Sequence, residues 1–312
     1  MVASAFDYVA ADSYDEAVRM LAARDGGAKI LAGGQSLMPM LNLRLAHPEL
    51  LIDINGADRR QPSLDGGVLR LPALTRHRVL IEHDLVRRGC PLLADAVRYL
   101  GNVRVRNRGT IGGSLAHADP TAEIGCCALA VGAEVDARGP NGKRTIPVRE
   151  LFAGYWTTAL SESEIITDVL IPAAQPRQGW SFQEMVRRTS DFAIVAVAVT
   201  VELAERDDRI AAARVALAGV SDRATLAGPD LTTGLIGLPV GLGLPAGAGL
   251  PAGTGARPEL DAVAARIADS LRPPDDVHAS GAYRRRLARV LIARALREAC
   301  ARARGDGRGA AA

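Results

Sequence analysis

The chain has 312 residues, about two ordinary domain lengths, with 48% hydrophobic side chains and a net charge of +3 from 38 Lys+Arg and 35 Asp+Glu. That length supports its own core without disulfides or metals, the balanced charge does not imply a polyanion partner, and no stretch is expected to form a membrane span. Met1 to Tyr8 contains no basic region feeding an apolar run, so the expectation is a cytoplasmic protein that spans no membrane, at most peripheral at the inner face of the cell membrane.

In chain order, Ser13-Tyr-Asp-Glu16 is a capping box, with Ala17, Met20 and Leu21 at helical spacing and a stop at Gly26-Gly27. Lys29 to Ala32 and Leu50 to Ile54 are short apolar runs that predict buried strands. Pro91 to Gly101 carries Leu93, Ala96, Val97 and Leu100 at helical spacing and leads into Asn102 to Thr110. Asp119-Pro120 predicts another helix, Asp119 as its N-cap, with Ile124, Cys127, Ala128 and Val131 on one face. Ile165 to Ile171 predicts a strand and Pro172 to Pro176 a linker. Phe192 to Leu203 and Arg214 to Val220 then predict an antiparallel hairpin through the charged turn Glu205 to Asp208. Leu235 to Pro258 is a Gly/Pro-rich insertion without expected structure. Tyr283, Leu287, Val290 and Leu291 mark a closing amphipathic helix, with a disordered tail after Arg304.

Two glycine-rich turns stand out, Ala32-Gly33-Gly34-Gln35-Ser36-Leu37 after a strand and Gly109-Thr110-Ile111-Gly112-Gly113-Ser114 ahead of the Asp119-Pro120 helix. Paired glycines let successive N–H groups converge on a phosphate, with Gln35 and Ser36 adding side-chain donors, so two such turns suit the two phosphates of a dinucleotide. Asp119 and Glu123, four apart at a helix start, are candidates to accept a ribose hydroxyl.

Other chemistries lack support. Neither turn has P-loop or Rossmann spacing, and the Gly241-x-Gly243 and Gly247-x-Gly249 pairs belong to the insertion. Cys90, Cys126, Cys127 and Cys300 form no C-x-x-C pair and read as reduced thiols, which leaves zinc, iron–sulfur and thiol-redox sites unsupported. His47, His77, His83, His117 and His278 are scattered and read as ordinary surface or core residues. Nothing places a base beside a nucleophile, so triad hydrolysis is disfavoured and no catalytic residue is assigned. Arg104, Arg106 and Arg108 read as solvated or subunit-contact residues rather than a nucleic-acid surface, because only 4% of residues are aromatic.

Lys29 to Leu37, Met40-Leu-Asn-Leu-Arg-Leu-Ala46, Arg106 to Pro120 and Arg187-Arg-Thr-Ser-Asp-Phe-Ala193 together closely resemble the FAD-binding medium subunits of molybdenum hydroxylases, the group of carbon monoxide and xanthine dehydrogenases. The resemblance covers about Phe6 to Arg297 without the insertion. It implies an α+β fold: a two-subdomain FAD-binding domain of the vanillyl-alcohol oxidase type over 1–175, divided at about 56, and a C-terminal domain over 176–312 with a three-stranded antiparallel sheet on helices. It implies that Lys29, Ile30, Leu31, Ala32, Gly33, Gly34, Gln35, Ser36 and Leu37, with Thr110, Ile111, Gly112, Gly113 and Ser114, hold the FAD pyrophosphate. By motif position, Glu123 would hold ribose and Ile166 would lie near the isoalloxazine.

Two departures from the family pattern are Leu71-Pro-Ala-Leu-Thr75, where members often show Ile-Gly-Ala-x-Thr, and the missing lysine near Gln183 to Glu184, which weighs against a eukaryote-like NAD site. The resemblance also implies a large molybdopterin subunit, a small subunit with two [2Fe-2S] clusters, a dimer of heterotrimers, and transfer of electrons through FAD to quinone, NAD or oxygen. A self-sufficient FAD oxidase or dehydrogenase, and a non-redox binding module, are the alternatives.

Overall fold

The predicted capping box forms: Ser13 Oγ accepts from Glu16 N–H at 3.2 Å, and Glu16 Oε2 accepts from Asp12 N–H at 2.8 Å, one residue earlier than a strict box. In this computed structural model, which describes residues 3–240 and 257–305, the box starts the crossover helix of a small parallel layer. That layer runs β1 (Asp7–Ala10), α1 (Tyr14–Ala22), β2 (Ala28–Leu31), α2 (Leu37–Asn42) and β3 (Leu50–Asp53), with sheet order β1-β3-β2. Its register pairs Ala10 and Leu31 with Asp53, so the carboxyl ends of all three strands finish level. Ala17, Val18 and Leu21 of α1 pack with Ile52 and Ile54 beneath them.

The second layer is antiparallel, in the order β4 (Ser63–Asp65), β5 (Val68–Pro72), β10 (Ile165–Pro172), β6 (Glu134–Gly139), β7 (Gly142–Pro147). Between β5 and β6 the chain makes six helices: α3 (His77–Glu82), α4 (Asp84–Gly89), α5 (Pro91–Ala96), α6 (Val103–Arg108), α7 (Ile111–His117) and α8 (Glu123–Val131). A short helix, α9 (Val148–Leu151), and a two-stranded ribbon, β8 (Phe152–Gly154) with β9 (Thr157–Thr158), precede β10.

The C-terminal sheet runs β11 (Gln178–Met185), β12 (Val195–Leu203), β13 (Ile210–Ala218), β14 (Thr225–Leu226), each antiparallel to its neighbour. The short helix α10 (Pro229–Thr232) and a 3₁₀ turn (Thr233–Leu235) follow, and then α11 (Pro258–Ser270) and α12 (Gly281–Arg304) cover one face of the sheet. Compared with the three strands implied by resemblance there is a fourth, of two residues. The turn Glu205 to Asp208 joins β12 to β13, but β12 starts at Val195 rather than Phe192, and β13 at Ile210 rather than Arg214. Leu235 and Val240, at the edge of the expected insertion, are core residues; residues 241–256, including both discarded Gly-x-Gly pairs, and the tail from 306 lie outside the described residues.

Helix α8 joins the two halves. Eight of its nine residues are buried, from Glu123 to Ala130, because α5, α7 and β10 pack on one side and β12 and β13 on the other. The expected single apolar face is therefore apolar all round, as a helix enclosed on every side requires. Thr200 Oγ1 donates to Ala130 O at 3.0 Å across this junction.

Candidate cofactor site

A cleft of about 400 Å³ opens at the level carboxyl ends of β2 and β3 and is lined by Leu31, Ala32, Gly33, Gly34, Gln35, Met38, Pro39, Asp53, Asn55 and Arg108. Ligands of parallel sheets bind in such crevices, and the volume lies within the usual range for small-molecule sites. Gly34 has φ +69°, the left-handed region that glycine enters without strain. Among the described residues, the N–H groups of Gly33, Gly34, Gln35 and Ser36 donate to no carbonyl and no side chain, leaving four amide donors in the turn. The expected side-chain donor Gln35 instead braces the turn, its Nε2 donating to Gly33 O at 3.0 Å.

The second glycine segment is not a loop but the first turn of α7. Thr110 is the N-cap, its Oγ1 accepting from Gly113 N–H at 3.2 Å. Ile111 N–H donates to Thr75 O at 3.1 Å and Gly112 N–H to Ala73 O at 2.9 Å, so the variant segment Leu71 to Thr75 consumes two of the amides expected to face phosphate. Gly112 is a packing glycine, since a Cβ there would lie 2.5 Å from Ala73 Cβ. The two turns still meet. At Gly33 a Cβ would lie 2.4 Å from Arg108 O and 2.7 Å from Gly109 Cα.

Several cleft residues escaped the sequence reading. Asp53 accepts from Tyr8 Oη at 2.7 Å and from Asn55 N and Nδ2 at 2.8 and 2.6 Å. Burial works against the Asp53 charge, but those hydrogen bonds and the Arg76 guanidinium outweigh it and hold the carboxyl below its ordinary value. Asp53 and Asn55 stand at the end of the predicted strand Leu50 to Ile54, which the structure pairs in parallel, and that position was the usable signal. Arg108 is exposed and lines the cleft, whereas Arg106, expected to be solvated or at a subunit contact, is tied to the backbone, its Nη1 donating to Leu100 O and Gly101 O at 3.0 and 2.9 Å. His77 is 3% exposed, and burial pushes its imidazole down to about 4, so it is neutral as Nε2 meets Ser114 Oγ at 3.1 Å.

The remaining candidates do not line the cleft. Asp119 is not an N-cap: α8 begins at Glu123 after Ala122, and Asp119 Oδ1 accepts from Thr121 N–H and Oγ1 at 2.8 and 2.6 Å. Asp119 and Glu123 therefore do not share a helix face. Ile166 is 4% exposed in the core, where β10 shifts register on β6. In place of the absent lysine, Gln183 Nε2 donates to Glu298 Oε2 at 2.8 Å.

Glu123 is 8% exposed, and burial, with the charges of Glu184 and Asp119, pushes its carboxyl up to about 7. A folded value above the unfolded 4.5 means that the contribution of Glu123 to folding stability is most favourable below about pH 4.5 and falls as pH rises to about 7. Glu123→Gln in the flavin-free protein should therefore gain stability over wild type as pH goes from 5 to 8, by roughly 1–3 kcal/mol in urea unfolding. A pH-independent difference would contradict this assignment.

The sequence matches the family model of the FAD-binding domain in molybdopterin dehydrogenase over residues 4–174, and that of the CO dehydrogenase flavoprotein C-terminal domain over 180–248. The chain belongs to the FAD-binding medium subunits of the molybdenum hydroxylase family. It is 36% identical to the 6-hydroxypseudooxynicotine dehydrogenase complex subunit alpha of Paenarthrobacter nicotinovorans, over 96% of each chain. Among solved structures, it is similar to a chain of the carbon monoxide dehydrogenase from Hydrogenophaga pseudoflava that lacks the Mo-pyranopterin moiety of the molybdenum cofactor (TM-score 0.87, 33% identity, 97% of this chain and 99% of that one). It is also similar to a chain of quinoline 2-oxidoreductase from Pseudomonas putida 86 (TM-score 0.86, 31% identity, 97% and 99%). These medium subunits are parts of multi-subunit oxidoreductases, and their cofactor is FAD.

Proposed function

We propose that this chain is the flavin-carrying electron-transfer subunit of a cytoplasmic molybdenum-containing hydroxylase or dehydrogenase. The observation that carries the reading is the row of four unbonded amides in a turn that lines a cleft at the level ends of the parallel strands, within an FAD-binding domain. Bound there, FAD supplies the exchange between carriers of single electrons and acceptors of pairs.

The protein's own residues hold and orient it. The amides of Gly33 to Ser36 and the Arg108 guanidinium suit the pyrophosphate, while Lys29 to Ala32 and Leu37 fix the turn between β2 and α2. With the Ile111 and Gly112 amides bonded to Thr75 and Ala73, the Gly113 amide to Thr110 Oγ1 and the Ser114 amide to Thr110 O, the second segment has the Thr110 N–H and the Ser114 hydroxyl left to offer, and Gly113 contributes only the close backbone approach. Asp53 is acceptor-only when ionised and suits flavin or ribose hydroxyls rather than phosphate. By motif position Glu123 would hold ribose, Asp119 shapes the turn ahead of it, and Ile166, its side chain in the core, would have only its backbone to offer the isoalloxazine.

The electrons come from [2Fe-2S] clusters of a small partner subunit, substrate is oxidised at molybdopterin in a large one, and the complex is a dimer of heterotrimers delivering to quinone, NAD or oxygen. The full-length match to medium subunits supports this over a self-sufficient oxidase. Among the described residues no helix is long and apolar enough to cross a membrane, and no group of His, Cys, Asp and Glu suits a metal.

The test is an absorption spectrum of the protein from its native host, with a denaturing gel of the same sample. Flavin and iron–sulfur bands with one large and one small co-purifying chain are expected. A single colourless chain that takes up no added FAD would overturn the reading.

A further inference from the structure

The two glycine segments are linked by a chain of side-chain hydrogen bonds that starts and ends at equivalent places. Asn55 Nδ2 donates to Ala32 O, the carbonyl before Gly33, at 2.9 Å. Asn55 Oδ1 accepts from Arg76 Nη2 at 2.6 Å, and Arg76 Nη1 donates to Arg108 O, the carbonyl before Gly109. Each end of this chain is itself fixed. Asn55 is bonded to Asp53, which Tyr8 also holds. Arg76 moves with the second segment, because it bridges Thr110 in β fashion and the next residue, His77, donates its N–H to Gly109 O at 3.0 Å. Among the described residues no other hydrogen bond joins 28–37 or 53–55 to 73–77 or 105–114.

We propose that Asn55 and Arg76 are positioning residues: they form a tie that sets the gap between the two segments, and flavin affinity depends on the tie although neither side chain has to touch flavin. The proposal rests on the flavin reading above. Its physical basis is preorganisation. The four free amides belong to one segment, Ser114 to the other, and a ligand that uses both binds more weakly if it must first fix their separation. Arg76 is suited to the task because its planar fork reaches two acceptors in fixed directions, which a lysine ammonium on a flexible stem does not do. Asn55 is suited because its amide donates at one end and accepts at the other.

The experiment titrates the flavin-free full chain with FAD for wild type, Asn55→Ala, Arg76→Lys, Arg76→Gln and the double variant Asn55→Ala/Arg76→Lys, with thermal unfolding of each flavin-free protein alongside. Each single variant is expected to bind FAD about tenfold more weakly, mostly through faster release, the size expected for losing a charge-assisted hydrogen bond. The double variant is expected to bind no more weakly than the worse single one, because either change already breaks the tie. Asn55 is exposed and Arg76 half-buried, so the unfolding temperatures should barely move, which separates a positioning role from general destabilisation.

Additive losses in the double variant would overturn the tie, as would wild-type affinity in Asn55→Ala. If Arg76→Lys keeps full affinity while Arg76→Gln loses it, Arg76 acts as a charge on phosphate and the tie is overturned. If wild type itself binds no FAD, the flavin reading fails first, a result distinct from any of these.

Discussion

Gly33→Ala should lower FAD affinity at least about a hundredfold, by far the largest effect of any small substitution in the first turn. The Cβ it adds would lie 2.4 Å from Arg108 O and 2.7 Å from Gly109 Cα, both backbone atoms that no side-chain rotation can move. Relief requires the two segments to part, which strains the packing by roughly 1–3 kcal/mol and displaces the amides from the cleft. Gly34→Ala makes the contrast. Its cost is the left-handed φ of +69°, about 1–2 kcal/mol, and the atoms its Cβ would meet, Leu31 Cδ1 and Met38 Cγ, each at 3.2 Å, belong to side chains rather than backbone and can yield. FAD titration with urea unfolding of both variants checks the order; equal losses of affinity would show that the contact of Gly33 with the second segment does not shape the site.

The same residues explain what could be read in the sequence. The capping box at Ser13, the strands at Lys29 and Leu50 and the closing helix were legible because each is specified within about four residues of itself. Helix α7 was not, because two glycines in its first turn argue against a helix, and what holds them there is the Thr110 hydroxyl on Gly113 and the carbonyl of Ala73, on another segment, on Gly112. Strand β11 was missed for a similar reason. Ser181 is fully buried in it, and its partner Glu298 lies 117 residues away on α12.

Asp119-Pro120 misled in a definite way. An Asx turn and an N-cap both begin with an aspartate accepting from an amide a few residues on, and only tertiary context separates them. Here that context is the Gly219 N–H, which donates to Pro120 O at 2.8 Å and fixes the segment outside α8. Of the site, the glycines were legible because the chemistry is in the residue type. Asn55 and Arg76 were not, because their function lies in which carbonyls they reach, 21 to 32 residues apart in sequence.

The C-terminal half depends on one buried cation, and Arg284→Met should destabilise the flavin-free protein by roughly 3 kcal/mol. Arg284 is 3% exposed, its Nη1 donating to Ile194 O and Gly219 O and its Nη2 to Asp276 Oδ2 at 2.6 Å. Methionine fills similar volume but leaves both carbonyls unsatisfied at the ends of the β12–β13 pair, where Gly219 also holds the Asp119-Pro120 segment. The pH dependence has a definite sign. Burial opposes the Asp276 charge, but Arg284 and the amides of Ala279 and His278 outweigh it and hold the carboxyl below its unfolded 3.8. Stability from this pair is therefore present above about pH 3.8 and lost as pH falls through the lower folded value. Asp276→Asn should be less stable than wild type at pH 6, and the gap should close as pH falls below 3.8, the opposite trend to Glu123. Urea unfolding from pH 3 to 8 tests both. A gap that stays constant would mean that Arg284 acts through the two carbonyls alone, with Asp276 contributing no charge-dependent stability.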